Sequence, residues 1–182
     1  PQTPLKPKDP FDQAQMRIWT KLIDEKLHDA CTVVTYVIQH RHKLLELDSP
    51  ILESMLRNTD EAYRERKRSW VAEGFASPDL QLAVGAFQQS IVEMNNTLER
   101  SRWLAGDHYS LADIAMTPYI NRLSMLSLQG WWKAEKPGLK RWFEEIRGRP
   151  SFQAAVMGHI PTEMRNDMRN RGIEAWPKIE LF

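Results

Sequence analysis

Residues 103–115 read Trp-Leu-Ala-Gly-Asp-His-Tyr-Ser-Leu-Ala-Asp-Ile-Ala, and they contain the clearest structural signal in this 182-residue chain. Ser110 and Asp113 are three residues apart and precede an apolar run. At this spacing the serine hydroxyl accepts a hydrogen bond from the first helical turn, and the carboxylate accepts one from the backbone N–H of Ser110. The pair predicts a capping box, with Ser110 and Asp113 as structural residues, at the start of a helix over about 111–126.

Similar start signals, a capping residue followed by proline, recur along the chain. Apolar residues at three- and four-residue spacing follow each signal, as expected for amphipathic helices. The predicted helices run over about 10–42, 49–74, 78–99, 137–147 and 150–157. The β-branched run from Thr32 to Thr35 is the one place where a short strand is the alternative. The pattern as a whole predicts an all-α bundle of six or seven helices.

The charge balance argues against a nucleic-acid or membrane partner. The chain has 25 basic and 24 acidic residues, for a formal net charge of +1, so no overall field favours a polyanion. No apolar stretch approaches the ~20 residues of a membrane span. The basic run over 64–68 is interrupted by Glu65, and we expect it to be a solvated helix face.

The cysteine and histidine pattern offers little chemistry of its own. The single cysteine, Cys31, excludes an internal disulfide and is typical of a reducing, cytoplasmic environment. Cys31 follows His28 by three residues, so the two can mimic a thiol–base pair, but an inert core cysteine is the favoured interpretation. His40 and His42 point to different helix faces, so no metal site is predicted.

The chain divides by composition into three parts. Residues 1–9 are rich in proline and predict an extended interdomain linker, which leads us to expect a preceding domain. Residues 10–158 form the predicted helical domain. Residues 159–182 form a C-terminal extension, first basic and then apolar, and whether it covers a pocket or packs outside the bundle stays open.

Several of these segments resemble one family. The string over 103–115 resembles the capping-box helix in the C-terminal domain of glutathione S-transferases, and the likeness continues in the opening helix and over 137–143 and 149–152. The long segment over 49–74 and the extended tail look most like the bacterial β-etherases of lignin breakdown.

The resemblance implies a fold and a chemistry. The fold would be a glutathione S-transferase C-terminal-like helical bundle that binds a small hydrophobic or aromatic substrate and forms a homodimer. Glutathione would be the co-substrate, and its thiolate would attack an electrophilic carbon in thioether formation or β-aryl ether cleavage. The residue that activates the thiol belongs to an N-terminal thioredoxin-like domain that this sequence does not contain, so this chain alone is expected to be inactive.

The resemblance also singles out individual residues. His28 matches a histidine that lies near both glutathione and substrate in some bacterial members, although Asp29 stands where those members have lysine. Thr32 and Tyr36 follow one and two turns later on the same helix face and would line the substrate pocket. Lys21 occupies a place from which the family often reaches glutathione.

Two other functions remain open at this stage. Helical domains of this type also serve as non-catalytic protein-interaction modules. A carrier of hydrophobic ligands is the second alternative, since the chain has seven tryptophans and eight methionines.

Overall fold

In the computed structural model, which describes residues 4–56, 60–180 and 182, every regular element is helical, as predicted. Residues 1–3 of the predicted linker, residues 57–59 of the predicted helix over 49–74 and Leu181 of the extension lie outside the described residues. The α-helices are α1 Pro10–Leu22, α2 His28–Thr35, α3 Arg41–Leu44, α4 Ser49–Leu56, α5 Glu61–Glu73, α6 Pro78–Leu98, α7 Leu111–Met125, α8 Pro137–Arg147, α9 Pro150–Ala155 and α10 Thr162–Ile179.

The predicted first helix is continuous from α1 through α3, over residues 10–44, which we call the first helical run. It contains two π-helical segments, Ile23–Leu27 and Tyr36–His40. In each segment the backbone N–H of the next residue bonds to a carbonyl five positions earlier, from His28 to Ile23 and from Arg41 to Tyr36. The β-branched run between them is helical, so the strand alternative is wrong. π-Segments inside α-helices are frequent at functional sites.

The prediction of one helix over 49–74 is wrong in its middle. The structure has α4 and α5 instead, and α5 begins afresh where the Asp60 carboxylate accepts a hydrogen bond from the N–H of Tyr63 at 2.9 Å. The first N–H groups of a new helix have no carbonyl partner within it, and the Asp60 carboxylate satisfies one of them. In a continuous helix this N–H would already bond to a carbonyl of the preceding turn. Gly74 ends α5 as predicted, with a φ of 58° that favours glycine.

The basic run on α5 is not the solvated face that the sequence predicted. Arg66 bonds to Asp29 on α2, Nη2 to Oδ2 at 2.8 Å, and to Asp79 on α6, Nε to Oδ2 at 2.9 Å. Arg68 pairs with Glu53 on α4. The carboxylates that make these pairs lie on other helices, so a pattern along α5 alone does not show them.

The capping box at Ser110 is present as predicted. Asp113 has no solvent exposure, and its carboxylate accepts from the N–H of Ser110 at 2.9 Å, the N–H of Leu104 at 3.0 Å and Nε1 of Trp142 at 2.8 Å. Burial raises the pKa of Asp113, and the hydrogen bonds partly offset this. One buried carboxylate thus joins the start of α7, the preceding loop and α8.

The core is centred on α6, which packs against α2 on one side and α8 on the other. The N-terminus of α8 is capped from α6, because Oδ1 of Asn95 accepts from the N–H of Gly138 at 3.0 Å and of Leu139 at 3.3 Å. A β-carbon at Gly138 would lie 3.1 Å from the backbone of α6. The absence of a side chain there lets the two helices approach closely.

The C-terminal extension folds as α10 and packs on the bundle. The buried face of α10 contacts the π-segment Tyr36–His40 and α7. This face consists of Met168, Gly172, Ala175 and Ile179. Asp167 of α10 lies near three polar side chains of the first helical run, including Nε2 of His42 at 3.4 Å. Within the described ranges, none of the helices has the length and apolar character needed to cross a membrane.

Candidate functional site

Three of the residues that the sequence singled out meet in one groove between the first helical run and α7. The groove has a volume of about 330 Å³. His28, Thr32 and Tyr36 all line it, since they follow one another at helical spacing on the same face. The remaining lining residues are Cys31, Thr35, His40, Pro118, Tyr119 and Arg122.

Lys21 lies outside this groove. Its side chain is 71% exposed, and its Nζ is 3.4 Å from Oε1 of Glu25 on the next turn. The structure therefore does not bring Lys21 together with His28, and an approach of Lys21 to glutathione stays a prediction.

One hydrogen bond joins the two walls of the groove. Nδ1 of His28 lies 3.2 Å from the hydroxyl oxygen of Tyr119, and the two rings meet edge to face. Partial burial raises the pKa of the Tyr119 hydroxyl. The hydroxyl therefore stays protonated at neutral pH. When Nδ1 of His28 carries a hydrogen and donates it to the Tyr119 oxygen, the hydroxyl hydrogen is free to bond to a ligand in the groove.

The threonines of the groove use their hydrogen atoms within the helix. The hydroxyl of Thr32 donates to the carbonyl of His28 at 3.1 Å, and that of Thr35 donates to the carbonyl of Cys31 at 2.7 Å. Their hydrogens are therefore not available to a ligand, although each hydroxyl oxygen can still accept a hydrogen bond.

The helix that carries His28 is held from behind by α5. The Asp29 carboxylate accepts hydrogen bonds from Nη1 and Nη2 of Arg66. It also accepts one from the hydroxyl of Tyr63, at 3.2 Å. Tyr36 packs edge to face against the buried Trp70 at 5.6 Å between ring centroids. These contacts hold both ends of the helix face that carries His28, Thr32 and Tyr36.

Sequence reasoning missed the contribution of α7. Tyr119 and Arg122 are three residues apart, on a helix that was assigned to folding alone. A partly polar stripe on an otherwise buried helix was the signal that could have revealed them. What the sequence could not show is that this stripe faces His28.

Cys31 provides a chemical probe of the groove, because it is the only cysteine in the chain. Burial raises the pKa of its thiol, and the nearby Arg122 guanidinium offsets only part of this. Since the thiolate is the reactive form, we expect iodoacetamide to modify Cys31 more slowly at pH 7.5 than an unperturbed thiol, because a raised pKa lowers the fraction of thiolate.

The measurement is the alkylation rate by mass spectrometry as a function of pH, with the urea-unfolded chain as control. The rate in the folded protein should still be rising above about pH 8.5, the ordinary thiol pKa. A plateau below that pH would contradict the assignment.

A larger cavity of about 580 Å³ lies elsewhere, between the 3₁₀ segment Gln129–Trp131, α8 and α10. Trp132, Phe143 and Trp176 are among its lining residues. It contains none of the residues that the sequence singled out. Within the described residues no three His, Cys, Asp or Glu side chains are grouped so as to hold a metal ion.

Comparison with known proteins finds relatives that match part or most of this chain. Protein LigF of Sphingobium sp. is 27% identical over 154 residues, which cover 82% of this chain and 60% of LigF. The disulfide-bond oxidoreductase YfcG of Escherichia coli is 39% identical over 74 residues, 41% of this chain and 33% of YfcG. The match thus spans less than two thirds of either relative.

Solved structures agree on the fold. The crystal structure of the β-etherase LigF from Sphingobium sp. has a TM-score of 0.70 at 24% identity, covering 85% of this chain and 65% of that one. Glutathione transferase F7 from Populus trichocarpa has a TM-score of 0.56 at 19% identity. Residues 81–150 match the family model of the glutathione S-transferase C-terminal domain. The resemblance drawn from the sequence is therefore confirmed: this chain has the fold of a glutathione S-transferase C-terminal helical bundle, and its residues 81–150 match that family.

Proposed function

We propose that this chain is the substrate-binding part of a glutathione transferase that acts on hydrophobic aromatic electrophiles, with β-aryl ether cleavage as the favoured reaction. The observation that carries the proposal is the groove in which His28, Thr32 and Tyr36 converge opposite Tyr119. The similarity to LigF and to the 2,5-dichlorohydroquinone reductive dechlorinase of Sphingobium indicum supports aromatic substrates. A homodimer in the cytoplasm is part of the proposal.

Glutathione, when bound, supplies the thiolate whose sulfur forms a new bond to carbon while the carbon–oxygen bond breaks and its electron pair goes to the departing phenolate. The chain contributes the surroundings of that oxygen. The protonated Tyr119 hydroxyl, oriented by His28, donates a hydrogen bond to it as negative charge develops. Tyr36 and Pro118 provide apolar surface for the aromatic ring.

We assign none of the described groove residues to the deprotonation of the glutathione thiol. We assign that step to the thioredoxin-like domain that relatives of this family place before the helical domain. The chain alone is accordingly expected to release phenol from an aryl ether no faster than background.

Removing the imidazole tests the proposal in the full-length protein. We expect His28→Ala to lower kcat/KM for glutathione-dependent release of phenol from a model β-aryl ether about 10- to 100-fold, because the transition state loses an oriented donor. Tyr119→Phe should produce a loss of similar size, since both variants break the same hydrogen bond.

His108→Ala is the matched control, because His108 is exposed and lies outside the groove. Thermal unfolding should show that all three variants fold. Unchanged kinetics in both groove variants, or no turnover by the wild type, would refute the proposal.

The carrier of hydrophobic ligands is the second candidate, because the larger cavity is lined by three aromatic rings. That function predicts tight binding of aromatic compounds without turnover. It also predicts that binding is insensitive to His28→Ala, which separates it from the transferase.

A further inference from the structure

Arg122 is the one permanently charged side chain among the residues that line the groove. It is half-buried, and its Nη1 lies 3.3 Å from Sδ of Met168 on α10. Across residues 4–56, 60–180 and 182 it takes part in no salt bridge. Its charge lies near Cys31 and His40. Burial raises the pKa of Cys31, and Arg122 offsets part of this; burial lowers the pKa of His40, and Arg122 adds to that effect.

The contact to Met168 leaves most of the guanidinium available. A thioether sulfur is a weak hydrogen-bond acceptor, whereas a guanidinium has five N–H donors in a planar fork. That fork matches the two oxygens of a carboxylate. A partly desolvated arginine without an acidic partner is therefore a recognition element for an anionic group.

The rest of the groove carries no permanent charge and includes the rings of Tyr36 and Tyr119. Burial raises the pKa of Tyr36 and of Cys31, so both stay protonated near neutral pH. The threonine hydroxyls donate within the helix. A ligand with several anionic groups would find only Arg122 to bind them. An aromatic ligand with one anionic end would match both the uncharged part of the lining and the guanidinium.

The two polar points on α7 are neighbours on one face. Tyr119 and Arg122 are three residues apart, nearly one helical turn, and both line the groove. An aromatic ring bound along this face would have its ether oxygen at the Tyr119 hydroxyl and its far edge toward Arg122.

We infer that Arg122 determines specificity for aromatic electrophiles that carry a carboxylate on the side of the ring opposite the ether oxygen. This inference rests on the proposed function, because it places that oxygen at the His28–Tyr119 pair. The guanidinium would bind the carboxylate in a bidentate manner. The role is one of substrate selection, and Arg122 takes no part in bond breaking.

Binding of an isosteric pair of probes to the full chain tests the inference. 4-Methylbenzoate and 4-methylbenzamide differ in charge but little in shape. By isothermal titration calorimetry we expect the carboxylate to bind about 10-fold more tightly, as one charge-assisted interaction allows. Arg122→Gln should remove this preference without weakening the amide, and Arg122→Lys, which keeps the charge, should retain part of it.

Arg147→Gln is the matched control, because Arg147 lines the larger cavity and not this groove. It should leave the preference intact. Equal affinity of the two probes in the wild type, or a preference that survives Arg122→Gln, or one that is lost in Arg147→Gln, would overturn the inference.

Protection of Cys31 from iodoacetamide separates this inference from the proposed function. If both probes protect Cys31 equally, the groove binds aromatic ligands and only the role of Arg122 is wrong. If neither probe protects Cys31, the groove is not the substrate site and both proposals fail. Protection by the carboxylate at lower concentration than by the amide supports both.

Discussion

Replacing Asp113 by alanine is expected to lower the free energy of unfolding by about 3–5 kcal/mol, enough to unfold much of the protein near physiological temperature. The carboxylate accepts hydrogen bonds from Leu104, Ser110 and Trp142, all of which are almost fully buried. The variant leaves these three N–H donors without an acceptor. Each unsatisfied buried donor costs about 1–3 kcal/mol.

The measurement is urea-induced unfolding followed by circular dichroism. Asp107→Ala is the control, since Asp107 lies in the same loop and is exposed, and it should change stability by less than about 0.5 kcal/mol. An Asp113→Ala variant as stable as the Asp107→Ala control would show that the carboxylate is not the structural centre of this region.

Gly172→Ala is the second substitution with a large expected effect. A β-carbon at position 172 would lie 1.6 Å from the carbonyl oxygen of Leu126 and 2.3 Å from its carbonyl carbon. Both are backbone atoms at the end of α7, so they cannot turn aside as a flexible side chain would. We expect α10 to shift away from α7, at a cost of about 3 kcal/mol, the upper part of the range for overpacking.

The shift should be detectable locally as well as globally. Displacing α10 would expose Met168 and Ala175, which are now buried, and should make α10 the first site of limited proteolysis. Gly85→Ala provides the contrast, because a β-carbon at that exposed helical position meets nothing within 4 Å. It should stabilise the protein by up to about 1 kcal/mol. Equal effects of the two substitutions would contradict this packing of α10.

The sequence was sufficient for features that depend on neighbouring residues. The start of α7 at Ser110 and of α6 after Ser77 followed from local capping patterns, and the structure confirms both. The face shared by His28, Thr32 and Tyr36 followed from helical spacing. All of these are determined within one or two turns of helix.

Features that depend on distant residues could not be predicted in the same way. The break between α4 and α5 comes with an N-cap at Asp60. The basic run of α5 pairs with acids on α2, α4 and α6 as well as with Glu61 and Glu65 of its own helix. The opposite wall of the groove is supplied by Tyr119, 91 residues from His28. Pairings of this kind are set by packing of the whole bundle, which a pattern within one segment does not encode.

The two π-segments of the first helical run have a consequence for how such a groove can vary. Each wide turn accommodates one more residue than an α-helical turn would, so a single deletion within Ile23–Leu27 can restore ordinary winding while every later residue keeps its direction about the axis. His28 and Cys31 would then still face α7. A deletion in an α-helical stretch before His28 would instead rotate both by about 100°, so the π-segments are the places where this helix can lose a codon and keep the set of side chains it offers to a ligand.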